Sequence, residues 1–340
     1  MSTTSSGLTA ASASTETGTL DACVHRIRTL AEGIIEIDLR PAAGHELPAY
    51  TAGAHIDVEL PVLDAQGHKL VRQYSLAGDP SDRGRYLIGV GLDAQSRGGS
   101  RWLHETLEEG DTLRISAPRN HFLLEEHAGH SVLVAGGIGV TPLVAMARRL
   151  SALGKRWVIY LCARTAERAA YLDVLAALPG GRVVPVFDGV PGGQPIDLPS
   201  LFETAPADAH FYCCGPASLM EAFEAQAKQV AAERVHVEWF RPRTLPQPEG
   251  GDRAFVLKLA RRGLELTVEP GTSILDALLE AGVDVPHSCC DGVCGTCETR
   301  VLEGIPDHRD AVLFGADAQA NDRIIVCVSR AKSESITLDL

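Results

Sequence analysis

Apolar and polar residues alternate along the first third of the chain. Ile35, Ile37 and Leu39 alternate with Glu36 and Asp38, and Ile56, Val58 and Leu60 alternate with Asp57 and Glu59. A period of two places each set on one face of a strand. Further runs at Tyr86–Val90 and Thr112–Ile115, separated by Gly, Pro and Asp, predict an antiparallel β-barrel over residues 19–125. One helix near Ser100–Leu107 interrupts it.

From about residue 131 the pattern changes. Short apolar runs at Ser131–Ala135, Trp157–Cys162, Val183–Phe187, His210–Cys214 and Val235–Phe240 alternate with helical stretches. Two such stretches are Pro142–Leu150, which is amphipathic, and Ala217–Ala231. That spacing predicts a parallel sheet with helices on both faces, an α/β domain over residues 126–240. The polar, Pro/Gly-rich residues 241–252 read as a linker. In residues 253–340, Phe255–Leu259 and Leu264–Val268 flank Arg261–Arg262–Gly263 as a hairpin. Ser273 and Asp276 form a capping box for a helix over Ile274–Ala281, closed by Gly282, and Ser335–Leu340 is a final strand. The architecture is therefore multidomain.

Length agrees, because 340 residues suit two or three domains. The apolar fraction of 45% and charged fraction of 22% are those of a soluble globular chain. The net charge of -13 argues against nucleic acid and anionic membrane as partners and permits docking to a basic protein surface. No apolar run is long enough for a transmembrane helix. Residues 1–18, rich in Ser, Thr and Ala, lack the features of a secretory signal or transit peptide. They read as a disordered tail, and a cytoplasmic location is expected.

Nine cysteines are many for a reducing compartment, and five fall between Cys289 and Cys327. Cys289, Cys294 and Cys297 stand as C-x4-C-x2-C, with Cys327 further on. This is plant-type [2Fe–2S] spacing, in which each iron takes two thiolates. Gly292 and Gly295 free the backbone to wrap a cluster, and backbone N–H groups and the Ser288 hydroxyl can bond its sulfurs. Cys290 competes with Cys289, but only Cys289 gives the four-residue gap. The alternative is a four-cysteine zinc site. Zinc sites usually pair two C-x2–4-C knuckles, and here the fourth cysteine stands alone. Cys23, Cys162 and Cys213 read as small buried residues. From Gly251 onward there are 15 Asp and Glu against nine Lys and Arg, a charge that suits electron-transfer docking or simply a solvated face.

Other signals are weaker one by one. Gly137-x-Gly139-x-x-Pro142 follows an apolar run and opens a helix, so its N–H groups can meet a pyrophosphate. It falls short of G-x-G-x-x-G and equally suits an ordinary tight turn. Arg72-x-Tyr74-Ser75 offers a guanidinium for phosphate, a ring for an isoalloxazine and a hydroxyl for its N5 edge. A strand tyrosine is more often mere packing. Ser96-Arg97-Gly98-Gly99-Ser100 could cradle a terminal phosphate or be a surface turn.

In order, Arg72-x-Tyr74-Ser75-Leu76, Gly136-Gly137-Ile138-Gly139-Val140-Thr141-Pro142, Cys213-Cys214-Gly215-Pro216 and the cluster cysteines resemble the phthalate dioxygenase reductase family, which includes vanillate-type O-demethylase reductases. Pro118-Arg119-Asn120-His121-Phe122, Asp307-His308-Arg309-Asp310 and Cys327-Val328-Ser329-Arg330-Ala331-Lys332 support the likeness, which covers nearly all the chain after residue 20. It implies an FMN-binding barrel, an NADH-binding domain and a C-terminal β-grasp ferredoxin. By resemblance, Arg72, Tyr74 and Ser75 hold the flavin, and Gly98, Gly99 and Ser100 meet its phosphate. Gly137, Gly139, Thr141 and Cys214 line the nicotinamide path, with Phe240 on the flavin side. Tyr74, Ser75, Cys214 and Phe240 are the expected catalytic set. Gly91, where the family carries a longer and often basic residue, is a departure, as is Cys290. The implied activity is NADH oxidation through FMN and the cluster, one electron at a time, to a Rieske-type oxygenase acting on small aromatic substrates. Alternatives are a cytochrome P450 acceptor or a redox-sensing regulator. NADH rather than NADPH follows from the resemblance, and Asp188 is placed to repel a 2′-phosphate.

Overall fold

The structure, a computed structural model, describes residues 19–42, 45–63, 67, 69–94, 96, 98–243 and 251–340. The tail over 1–18, Arg97 and most of the expected linker lie outside the described residues. Among these, no helix is long and apolar enough to cross a membrane.

The first unit comprises β1 (Thr19–Ala31), β2 (Ile34–Pro41), β3 (His55–Leu63), β4 (Lys69–Ser75), β5 (Tyr86–Gly91), α1 (Gly99–Glu105) and β6 (Thr112–Ser116). Its six strands run in the order β4-β3-β6-β1-β2-β5, all neighbours antiparallel. A bridge between Leu76 and Ile88 draws the two edges together into a barrel. The alternation along β3 buries Ile56, Val58 and Leu60 as expected. On β2 the polar positions behave otherwise. Glu36 and Asp38, expected at solvent, are 4% and 8% exposed. The second unit covers that face through Tyr171. Burial is tolerated because Arg28 meets Glu36 at 2.6 Å and Arg40 meets Asp38 at 3.2 Å.

The second unit comprises β7 (His130–Gly136), α2 (Val140–Ala152), β8 (Arg156–Ala163), α3 (Leu172–Ala176), β9 (Gly181–Phe187), α4 (Leu198–Thr204), β10 (Ala209–Cys214), α5 (Ala217–Ala227) and β11 (Val235–Glu238). The sheet is parallel, in the order β11-β10-β7-β8-β9. Leu143, Leu150 and Leu175 pack on one face, and Leu201, Phe202, Met220 and Phe223 on the other. The amphipathic reading of α2 gives way to near-complete burial. Residues Val140 to Ala147 are all buried, because the helix is packed against barrel residues Ala52 and Phe122 as well as the sheet. The strand expected to reach Phe240 stops at Glu238.

The third unit comprises β12 (Phe255–Leu259), β13 (Leu264–Val268), α6 (Ile274–Glu280), β14 (Glu298–Glu303), β15 (Pro306–Asp307), α7 (Ala316–Ala320), β16 (Arg323–Ile325), β17 (Arg330–Ala331) and β18 (Ser335–Leu338). Strands β13-β12-β18-β14-β16 form a mixed sheet holding α6, a β-grasp ferredoxin arrangement. The hairpin has the expected bounds. Ser273 and Asp276 cap α6 reciprocally, each side chain meeting the other's backbone N–H.

Candidate functional site

The loop between α6 and β14 carries three of the four cysteines, and Cys327 follows β16. Cys294, Cys297 and Cys327 are buried, and Cys289 is half-buried. The Cys289 thiol touches those of Cys294 and Cys327, and Cys297 touches Cys327. These sulfurs hold Cys289 far below the usual thiol range, helped by the Asp291 N–H at 3.4 Å. Cys294 is pushed up by the same contact. Cys290 is exposed, in a left-handed conformation at φ 53°, and stands outside this set. Among the described residues no group of His, Cys, Asp or Glu is arranged around a point as a single ion requires. The four-thiol donor set fits a [2Fe–2S] cluster, with Cys289 next to Cys294 and Cys297 next to Cys327. The loop geometry also fits. Gly292 has φ 72°, and a Cβ there would lie 2.6 Å from the Val328 side chain. Ser288, expected at the sulfurs, turns instead to the barrel. The hydroxyl beside a sulfur is that of Thr296, 3.1 Å from Cys294 Sγ, which sequence reasoning missed.

Two motifs far apart in sequence meet on β4. A Cβ on Gly99 would lie 3.2 Å from Arg72 Cγ, so the Gly98–Gly99 turn closes over the arginine. Gly98 has φ 105°, a conformation other residues adopt at a cost. Ser100 Oγ accepts from the Asp93 N–H at 3.2 Å and so pins the turn. Tyr74 is part-buried, and burial raises its phenol well above the usual range, so it stays neutral. Ser75, buried, ends the strand. A Cβ on Gly91 would make only ordinary contact with the Ile138 side chain, at 3.4 Å, so the structure places Gly91 beside the turn before α2 without requiring glycine there.

The nucleotide turn is held from below. A Cβ on Gly139 would lie 2.3 Å from the Cys214 carbonyl, whereas Gly137 opens to free space. Thr141 Oγ1 donates to the Ile138 carbonyl at 3.0 Å. In the parallel ladder Cys214 pairs with Ala135 and with Glu238, so the C-terminal ends of three strands form one crevice. Cys213 is buried, while Cys23 and Cys162 are half-buried. Asp188 lies 3.6 Å from Arg164, which offsets its charge. Phe240 lies beyond the strand end and is 38% exposed.

What meets Ser75 from the nucleotide side is Glu238, a residue the sequence did not single out. Glu238 is part-exposed as a residue, but its Oε2 is out of reach of water and has no hydrogen-bond partner. Burial pushes its carboxyl up to about 8, against the opposing pull of the Ser75 hydroxyl. Below that pH the group is neutral. Above it, a bare negative charge stands beside Ser75 and opposes the arrival of electrons there. We therefore expect NADH oxidation to decline as pH rises through about 8, and Glu238→Gln, which cannot ionise, to lose that limb. Stopped-flow rates from pH 6 to 9.5 test this; an unchanged limb in the variant assigns it elsewhere.

The cluster loop meets the same barrel face. Gln73 Nε2 lies 3.4 Å from Ser288 Oγ and donates to Asp57 at 2.8 Å. Arg119 donates to the same Asp57 oxygen at 2.7 Å. A Cβ on Gly295 would lie 2.3 Å from His121 Nε2, so ring and loop are in tight contact.

A barrel with a phosphate turn, a parallel sheet with a nucleotide crevice and a four-thiol loop define a flavin-dependent iron–sulfur reductase. Comparison with known proteins agrees. Residues 257–332 match the 2Fe-2S iron-sulfur cluster binding domain. The chain is 45% identical to the phenoxybenzoate dioxygenase subunit beta of Ectopseudomonas oleovorans, over 93% of this chain and 96% of that one. It superposes on phthalate dioxygenase reductase, a structure for electron transfer from pyridine nucleotides to [2Fe–2S], with TM-score 0.66 and 36% identity, covering 95% and 98% of the two chains. It also superposes on an intact type IV self-sufficient cytochrome P450 monooxygenase with TM-score 0.85 and 37% identity, covering 95% of this chain and 41% of that longer one. The chain belongs to the phthalate dioxygenase reductase family. It is an NADH-dependent oxidoreductase of an oxygenase system, with FMN and a [2Fe–2S] cluster as cofactors.

Proposed function

We propose that this chain supplies electrons from NADH to the Rieske centre of a separate oxygenase acting on small aromatic substrates. One observation carries the reading. Gln73 and Ser75, two apart and so on one face of β4, receive the cluster loop and the nucleotide domain respectively. The strand that would hold the flavin is thus flanked by electron source and electron sink. When bound, the flavin accepts electrons in pairs from NADH and releases them singly to the cluster.

The residues supply position and field. Arg72 with Gly98, Gly99 and Ser100 holds the FMN phosphate, and Tyr74 and Ser75 fix the ring. Gly137, Gly139 and Thr141 admit the nucleotide, and Cys214 floors the crevice. The buried Cys214 thiol is pushed well above its usual range and stays neutral. Phe240, exposed beyond the end of β11, would lie on the flavin side of the crevice. Cys289, Cys294, Cys297 and Cys327 ligate the cluster. The Rieske acceptor is supported by the dioxygenase relative and by the acidic third unit. The superposition on the self-sufficient P450 favours a haem acceptor as the second reading.

The test is spectroscopic, then biochemical. Anaerobic protein should show overlapping flavin and iron–sulfur absorbance that bleaches with stoichiometric NADH. Absence of both after reconstitution with FMN, iron and sulfide overturns the reading. Purified Rieske oxygenases and P450s, assayed in parallel for NADH-dependent product, then separate the two acceptors.

A further inference from the structure

The two stretches of chain that carry the thiols are tied together by a residue that is not one of them. Asp310 closes the run Asp307-His308-Arg309-Asp310 and is 3% exposed, with its carboxylate wholly out of solvent. Oδ1 accepts from the Val312 N–H at 3.0 Å and from the Leu313 N–H at 2.7 Å. Oδ2 accepts from the Ser329 hydroxyl at 2.9 Å. His308 Nδ1 stands 3.7 Å from the same oxygen.

Both thiol segments meet this network. Ser329 lies two residues beyond Cys327, is fully buried, and accepts from the Arg309 N–H at 3.0 Å. On the other side, the Ala311 N–H donates to the Gly292 carbonyl at 2.9 Å, inside the loop between Cys289 and Cys294. A Cβ on Gly292 would lie 3.3 Å from Asp310 Cα, so backbone meets backbone there.

The carboxylate also brings a charge. Burial opposes its ionisation, but His308, the two N–H groups and Ser329 outweigh burial and hold the carboxyl below its usual range. No lysine or arginine pairs with Asp310 among the described residues, and Arg309 turns to Asp252 and Asp307 instead. A negative charge is therefore kept out of water, where salt screens it little, against the loop that carries the thiols.

We propose that Asp310 is a positioning residue for the cluster: it ties the Cys327 segment to the 289–297 loop, and its buried charge holds the cluster at a lower potential than the thiolates alone would set. The inference rests on Cys289, Cys294, Cys297 and Cys327 being the ligands. A lower potential makes the reduced cluster a stronger donor to the oxygenase.

The test is a redox titration of the full, FMN- and cluster-loaded protein, followed by electron paramagnetic resonance of the reduced cluster. Asp310→Asn keeps the shape and an acceptor oxygen but removes the charge. It should make cluster reduction about tenfold more favourable, an upward shift of about 59 mV for one electron. Ser329→Ala leaves the charge and strips one donor from it, so the potential should move the other way, by less. Loosening of the loop alone would move both variants in one direction. Glu303→Gln, which removes an exposed charge from the same unit, should leave the potential unchanged. An iron chelator should bleach the Ser329→Ala cluster severalfold faster than the wild type, because the tie to Asp310 is cut. If Asp310→Asn does not retain a cluster, the sign of the Ser329→Ala shift decides. An unshifted potential in Asp310→Asn, shifts of one sign in both variants, or wild-type bleaching of Ser329→Ala overturns the inference alone. A wild-type protein that takes up no cluster overturns the ligand assignment, and the inference with it.

Discussion

Cys294→Ser is expected to abolish NADH-driven cytochrome c reduction while NADH-to-dye reduction stays within about twofold. The loss should reach about a hundredfold or more, because a serine hydroxyl is a poor iron ligand beside thiolates. Cys294 is buried and its sulfur shares a contact with Cys289, within the four-thiol set. Serine differs by one atom, and Cys294 is not among the apolar residues packing the ferredoxin core. The fold should therefore survive and the flavin half keep turning over. Dye reduction intercepts electrons before the cluster, and cytochrome c reduction takes them after it. Equal loss of both activities would mean that electrons do not pass from flavin to cluster in that order.

The second large effect is expected from Gly139→Ala. The added Cβ would lie 2.3 Å from the Cys214 carbonyl oxygen, 2.5 Å from its carbon and 2.7 Å from the Gly215 nitrogen. All three are backbone atoms, and Cys214 is fixed in the ladder opposite Ala135. No side chain can swing aside. Relief requires the turn to rise from the strand end, at a cost of about 3 kcal/mol. A displacement near 1 Å at a substrate-positioning turn costs about a hundredfold in rate. NADH-driven dye reduction should fall by that order and the melting temperature should drop, with the cluster spectrum retained. Gly137→Ala is the control: its Cβ meets nothing within 4 Å and the cost is only that of φ 53°. If Gly139→Ala oxidises NADH at the wild-type rate, the turn is not the nucleotide's approach.

The elements were legible wherever a segment packs within its own unit. The hairpin of β12 and β13, the capping box of α6 and the runs of β7, β8 and β10 follow from period and local chemistry alone. The reading fails where a second unit lies over a segment. Glu36 and Asp38 look like solvent positions because nothing local reveals the domain lying over β2. Near-complete burial of α2 has the same cause. At the site, the four cysteines declare themselves by spacing. Arg72 and Gly98–Gly99 were legible separately, but their meeting was not. Glu238 carried no signal of its own; the clue was its register at the end of β11, next to Cys214. His121 sits inside a motif noticed only for resemblance, and its partner Gly295 was read as cluster wrapping alone.

The contact of Gly295 with His121, and of Ser288 with Gln73, has a kinetic meaning. A ferredoxin that must find its reductase by diffusion is limited by collision, and its reduction slows on dilution. Here the acceptor of the second transfer is fastened to the donor, so the event is first-order and independent of protein concentration. Tethering supplies an effective concentration that no free partner reaches in solution. Dilution and added salt should leave internal reduction untouched and slow only the final delivery to the oxygenase. Cys290 on the cluster loop is exposed, so part of that loop is left open for that last encounter.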